Sequence, residues 1–284
     1  MLTAVELPNG ITVERIGEWY DRFRFYRHAP SREELSAWIK QFDEADFDLA
    51  ARVLDQVILI SDLDIQKGYR NALASLPGWS AIEAKRVGRW AFVGLGGQAE
   101  SGPAMLHMFR EANDLTSDRH QALFVTLADL PKLRLTARDT VVFVDDFAGT
   151  GDQFSKRWEM YRELVSSEAK AHLFLAAATS SAIGRLDGLE DVQVRANLVL
   201  GPEANIFAPE NVVFDGADKT ALLAYCRRAD KHNPMGWGKC GLLLVISRKT
   251  PNNSIPALHA TARRWKPIFP RRLLVIGVAP SSVA

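Results

Sequence analysis

Two patterns of apolar residues divide the chain near residue 88. Before it, apolar positions recur at the three- and four-residue spacing of amphipathic helices. Leu35, Trp38, Ile39 and Phe42 form one series, introduced by Ser31 with Glu34 three residues on, the signature of a capping box. Phe47, Leu49, Val53, Val57, Ile58 and Ile60 form a second, and residues 65–76 a third that closes at Pro77-Gly78. Residues 5–13, with Pro8-Asn9-Gly10 inside them, predict a turn between short extended pieces. After residue 88 the pattern changes to short apolar runs, at residues 90–93, 122–127, 141–144 and 171–178, the third of them unbroken. Such runs suit strands buried on both faces of a parallel sheet. Residues 192–200 alternate instead, as a strand near a sheet edge does, and residues 242–246 make a last short run. Helical spacing returns between the runs, with Met105, Met108, Phe109 and Ala112, then Phe154, Trp158, Tyr161, Leu164 and Val165, then residues 220–228. The run at 171 begins about 27 residues after Val144, room for one crossover helix between parallel strands. An α/β protein is expected: residues 1–88 as a helical N-terminal subdomain, residues 89–284 as a mainly parallel sheet flanked by helices.

Chemistry concentrates at residues 141–154, VVFVDDFAGTGDQF. The apolar run delivers two carboxylates, Asp145 and Asp146, where such a strand emerges. Ala148-Gly149-Thr150-Gly151 then leads into a helix. Ligands of open α/β sheets bind outside the carboxyl ends of the strands. The first amides of a helix lack internal partners and favour an anion, and glycines let backbone approach a phosphate. Paired aspartates suit hydroxyl donors or a cation. A sugar bearing one phosphate satisfies both halves. A sheet core with a tight turn is the plainer reading of the same residues, and Asp152 is expected to serve as the helix N-cap. A nucleotide-hydrolase metal strand would need a G-x-x-x-x-G-K-[ST] loop, which the chain does not contain.

A second strand–loop–helix unit spans residues 90–112. Its loop, residues 94–102, is rich in small residues, and Ser101 and Pro103 suit the first positions of the helix. Gly94, Gly96 and Ala99 match a dinucleotide fingerprint loosely, without a clear acid at the end of the next strand. His107 lies among the apolar residues of this helix and is expected to be partly buried and satisfied.

The run through Asp145, Asp146 and Thr150-Gly151 resembles the phosphoribosyl pyrophosphate (PRPP) signature of type I phosphoribosyltransferases. That resemblance implies a phosphoribosyltransferase-like fold, Asp145 and Asp146 on the ribose hydroxyls, and Ala148, Gly149, Thr150, Gly151, Asp152 and Gln153 around the 5′-phosphate. It implies a pyrophosphate loop contributing Gly96, Gly97, Gln98, Ser101 and Gly102, with Mg²⁺ carried by the substrate. Gln153 stands where the ordinary enzymes have Thr or Ser, and Asp152 adds an acid to the anion loop. The Asp-Asp-Phe-x-Gly-Thr-Gly-x-Gln form is closer to phosphoribosyltransferase-like proteins of bacterial conflict (anti-phage) systems. Thr250-Pro251-Asn252-Asn253 and Trp265-Lys266-Pro267-Ile268-Phe269-Pro270-Arg271 resemble the closing segment of the same family. The resemblance thus implies a nucleotide-binding effector or accessory of defence with partner proteins, and a C-terminal segment near the site. Ordinary transferases carry a long mobile loop that closes over PRPP, and no long polar loop stands between residues 115 and 131. A non-catalytic sensor of a nucleotide or nucleic-acid end is the alternative, and a dinucleotide oxidoreductase ranks behind both.

Composition narrows the partners further. The 284 residues carry a formal net charge of +1, so no global field favours nucleic acid or an acidic membrane. Arg263, Arg264, Lys266, Arg271 and Arg272 with Trp265 and Phe269 make a local basic, aromatic cluster of the kind that holds single strands, unless its rings pack inward. Cys226 and Cys240 are expected as reduced thiols. No basic segment leads into an apolar core at the start, and residues 273–279 are too few to span a bilayer, so a cytoplasmic protein with no membrane association is expected.

Overall fold

The computed structural model describes residues 6–96, 101–166 and 168–271, which form two compact units. One unit takes residues 6–59, 216–239 and 243–271, and the other residues 60–215 and 240–242.

The first unit is built from α1 (Val13–Phe23), α2 (Arg32–Ile39), α3 (Phe47–Asp55) and β1 (Ile58–Ile60), joined by later segments. Ser31 and Glu34 form the expected capping box at α2, each satisfying the other's free amide. The apolar series from Phe47 does not stay helical: α3 ends at Asp55, and Ile58 and Ile60 lie in a strand. The reason is pairing, since the Ile58 amide donates to the Leu243 carbonyl at 2.8 Å. No strand forms among residues 6–12, whose turn at Asn9-Gly10 runs directly into α1.

The second unit holds α4 (Asp62–Ala74), β2 (Trp90–Gly94), α5 (Ser101–Ala112), β3 (Thr140–Ala148), α6 (Asp152–Leu164), β4 (Lys170–Thr179), α7 (Ser180–Leu186) and β5 (Val192–Leu200). Its four strands pair in the order β2-β3-β4-β5, all parallel, so β5 is an edge as its alternation predicts. Odd-numbered residues of β3 and β4, Val141, Phe143, Leu173 and Leu175, pack with Phe154, Trp158 and Tyr161 of α6. On the opposite face Phe92 and Phe174 meet Phe109 of α5, which also meets Tyr69 of α4. Buried aromatic contacts of this kind fix both helices against the sheet.

Residues 122–127 are not a strand. They lie in and between two 3-10 stretches, Asp118–Leu123 and Leu127–Leu133, and only Phe124 bridges β2, at Phe92. His107 is exposed rather than partly buried, because Met105, Met108 and Phe109 take the inner face of α5; its ring sits 3.3 Å from Glu111. The remaining elements are α8 (Gly216–Ala229), β6 (Leu244–Ile246), which pairs with β1, and α9 (Pro256–His259). Among the described residues no helix is long and apolar enough to cross a membrane.

Candidate functional site

The two acids lie in the last part of β3, an inner strand that stays paired with β4 as far as Ala148. The strand around them is tied down on both sides: Asp145 pairs with Leu175 of β4, and the Tyr69 hydroxyl donates to the Asp145 carbonyl at 2.7 Å. Burial, and then the charges of Asp146 and Asp145, hold that phenol above its ordinary pKa, so it stays a proton donor.

Each carboxylate is aimed by backbone. The Asp146 amide donates to Asp145 Oδ1 at 2.9 Å, and the Phe147 amide to Asp146 Oδ1 at 2.8 Å. Ser101 Oγ lies 2.8 Å from Asp145 Oδ1 and 3.0 Å from Asp146 Oδ1. Neither acid forms an ion pair among the described residues, and neither Oδ2 accepts a hydrogen bond from them. Burial raises the Asp145 carboxyl well above the usual carboxylate range, and the charge of Asp146 adds to the effect. Half-buried acids with an unfilled acceptor each are poised for hydroxyl donors or a cation.

The loop beyond them is held from the side. Thr179 Oγ1 donates to the Gly149 carbonyl at 2.7 Å while accepting from the Ala182 amide at 3.0 Å, so one side chain caps α7 and pins the loop. Gly151 is the N-cap of α6 with φ +73, the left-handed region that glycine occupies without penalty. A Cβ there would stand 3.3 Å from the Ala182 carbonyl. Gly151 offers no side chain to cap α6, and past Asp152 the amides of Gln153 and Phe154 are open to an anion.

Asp152 is therefore not the cap: it is the first helical residue, with its amide donating to Thr150 Oγ1 at 3.3 Å. Its carboxylate pairs with Arg185 of α7, which offsets the negative charge beside the loop. Gln153 is exposed at the same end of α6.

The start of α5 approaches the same acids through Ser101. Gly94 ends β2, and a Cβ on it would lie 2.7 Å from the Gly102 carbonyl; one on Gly102 would fall on the Leu95 carbonyl. These two glycines let β2 and α5 meet backbone to backbone. Gly96 has φ +90. Gly97 and Gln98 lie outside the described residues. The structure thus brings Ser101 against Asp145 and Asp146 and sets Ala148, Gly149, Thr150, Gly151, Asp152 and Gln153 in sequence beyond them.

Tyr69, Thr179 and Arg185 were not among the residues expected at the site. All three reach it through tertiary contacts that no local pattern encodes.

The chain matches the model of the PRTase-CE family over residues 35–271. The chain belongs to the PRTase-CE family. It is a phosphoribosyltransferase-like protein, and the parallel sheet with helices on both faces is consistent with that fold. No curated protein matches the chain. Two other segments inside the family's span serve structure. Thr250, Asn253 and Ser254 are buried and bond to the Phe269, Trp237 and Leu244 carbonyls. Trp265 and Phe269 are 1% and 0% exposed, so their rings pack inward and are closed to base stacking.

Proposed function

We propose that this PRTase-CE protein binds a phosphorylated ribose, PRPP or a nucleotide of similar build, at the carboxyl end of β3. Asp145 and Asp146 accept the ribose hydroxyls, and the backbone from Gly149 through Gln153 receives the phosphate. What carries the reading is the pair of backbone-aimed carboxylates, each with an open oxygen, immediately before a glycine turn and a helix with open amides. Gly96 and Gly102 belong to a loop suited to pyrophosphate, to which the expectation for Gly97 and Gln98 also attaches. Among the described residues no cluster of three or more His, Cys, Asp or Glu could hold a metal ion. Asp145 or Asp146, each with an open oxygen, could supply part of the shell of a Mg²⁺ brought in on phosphate oxygens.

If the protein turns over, the C1–oxygen bond to pyrophosphate breaks, the electron pair leaves with pyrophosphate, and a nucleophile bonds to C1. The acids and the helix end would contribute positioning and electrostatics. A specific observation favours a sensor that binds without transfer: residues 118–133, where a long closing loop would be expected, are folded into compact 3-10 turns with Leu123 and Leu130 buried. An effector or accessory role in anti-phage defence, with protein partners in the cytoplasm, follows the form of the Asp-Asp-Phe stretch.

Calorimetry of the full chain against PRPP, ribose 5-phosphate, ATP and NAD, each with Mg²⁺, tests the reading. Binding of PRPP or ribose 5-phosphate is expected, and its loss in the double variant Asp145→Asn/Asp146→Asn. Equal PRPP affinity in that variant would sink the ribose assignment. Pyrophosphate release with an added acceptor separates a transferase from a sensor, which would show thermal stabilisation alone.

A further inference from the structure

Asp152 places a carboxylate in the first turn of α6, beside the open amides of Gln153 and Phe154, where an unpaired acid would repel a phosphate. It is paired: Arg185 Nη1 donates to Asp152 Oδ1. Two contacts fix where that arginine stands. A Cβ on Gly151 would lie 3.4 Å from Arg185 Cδ, so the arginine stem runs along the N-cap of α6. Thr179 ties the Gly149 carbonyl to the start of α7, which fastens the loop to the helix that carries Arg185. A guanidinium presents five N–H donors in a planar fork. Nη1 is spent on Asp152, and among the described residues nothing accepts from the other donors. The Arg185 and Asp152 side chains are 54% and 37% exposed. An ion pair this open to water adds little to stability, so holding the fold together is a poor account of it.

We propose that Arg185 is a phosphate-binding residue of the site and that Asp152 is the residue that aims it. The proposal rests on the phosphorylated-ribose reading and adds to the backbone amides a charged side chain from a different element. It also gives Asp152 a role: an acid that would oppose a phosphate on its own holds the cation that the phosphate needs. An arginine already held in place loses less freedom on binding than a loose one. Its fork can meet two phosphate oxygens at once, whereas a helix end supplies only partial charge. Arg185 therefore favours the phosphorylated sugar over the bare one.

Calorimetry of the full chain with ribose 5-phosphate tests it. Arg185→Gln keeps much of the stem beside Gly151 and removes the charge. It is expected to weaken ribose 5-phosphate about ten- to a hundredfold, the loss of a hydrogen bond between charged groups. Its melting temperature without ligand should stay within about 2 °C of wild type. Should Arg185→Gln fail to fold, Arg185→Met is read in its place with the same expectations. Asp152→Asn separates binding from mere cancellation of charge. In that background Arg185 has no acid to offset, so an offsetting arginine could be replaced without effect. The proposal expects Arg185→Gln to weaken ribose 5-phosphate there too, by about tenfold. Equal affinity in Arg185→Gln and wild type, or a loss seen only while Asp152 is intact, overturns the proposal and leaves the ribose reading standing. Absence of ribose 5-phosphate binding in wild type overturns the ribose reading and the proposal together.

Discussion

Two stretches of this chain look equally like motifs, Asp145 to Gly151 and the segment from Thr250 to Phe269, yet they do opposite things. In the later stretch the buried polar groups are spent internally. Thr250, Asn253 and Ser254 are buried with carbonyl partners, and the Trp265 indole donates to the Ala257 carbonyl at 2.9 Å. In the earlier stretch the carboxylates are only half-buried, held by their own backbone, and keep acceptors open. A buried polar group with its partner supports a fold; a held, unfilled acceptor is available to a ligand. Perturbing the later stretch should therefore change stability and spare affinity, and perturbing the earlier one should do the reverse.

The largest expected effect is from Trp265→Ala. Trp265 is fully buried, meets Trp38, Phe42 and Tyr225 in ring contacts, and shares the Ala257 carbonyl with the Trp38 indole. Truncating such a ring costs about 3–5 kcal/mol, a fall in melting temperature of about 10 °C. Ribose 5-phosphate affinity measured below the melting point should not move. Lost affinity in a folded Trp265→Ala would break the contrast.

The next effect is in pH. Burial pushes His259 down to about 4, and its Nε2 lies 3.0 Å from the Ser254 carbonyl, which the neutral ring satisfies as donor. The unfolded chain binds this proton below about 6.5 and the folded one only near 4, so its stability contribution is lost as pH falls between them. At about 1.4 kcal/mol per pH unit the full loss is about 3 kcal/mol. His259→Gln, which keeps a donor but does not titrate, should flatten that part of the pH–stability curve. Parallel curves from pH 7 to pH 4 would refute the assignment.

At the site the single variant Asp146→Asn should weaken ribose 5-phosphate about ten- to a hundredfold, as expected for a hydrogen bond to a charged acceptor. Its melting temperature without ligand should stay within about 2 °C of wild type. A variant that melts much lower while binding normally would assign Asp146 to structure instead.

The sheet and the acids were legible because an unbroken apolar run admits few alternatives, and the end of such a run locates the mouth of the sheet. The capping box at Ser31 was legible for a similar reason, being local geometry. Ile58 and Ile60 were misread, since three apolar residues fit a helix or a strand until a partner such as Leu243 is known. Residues 122–127 failed in the same way, with a single bridge to β2, at Phe124. The return of residues 216–239 and 243–271 to the helical start was not legible, because an amphipathic pattern says which face is buried and not against what. Nor was the aim of Ser101, a helix-start serine by sequence whose hydroxyl is claimed by acids 44 and 45 residues away.

The smallest effect probes the acids without any ligand. Asp145 carries a carboxyl whose protonated form is favoured by burial and by Asp146, so folding at neutral pH works against its charge. With the folded value raised, the stability it allows is fully present below the unfolded value near 4 and is lost as pH rises through the folded one. Asp145→Asn keeps an oxygen to accept from Ser101 and the Asp146 amide but removes the charge. The variant should therefore melt higher than wild type at pH 7, by about 2–4 °C for a gain of about 1 kcal/mol, while losing ribose 5-phosphate. The gain should shrink as pH is lowered and vanish near pH 4, where wild type is itself protonated. An equal or lower melting temperature at pH 7, or a gain that persists unchanged to pH 4, would mean that the acids are not held at a cost, and the difference between the two stretches would lose its physical basis.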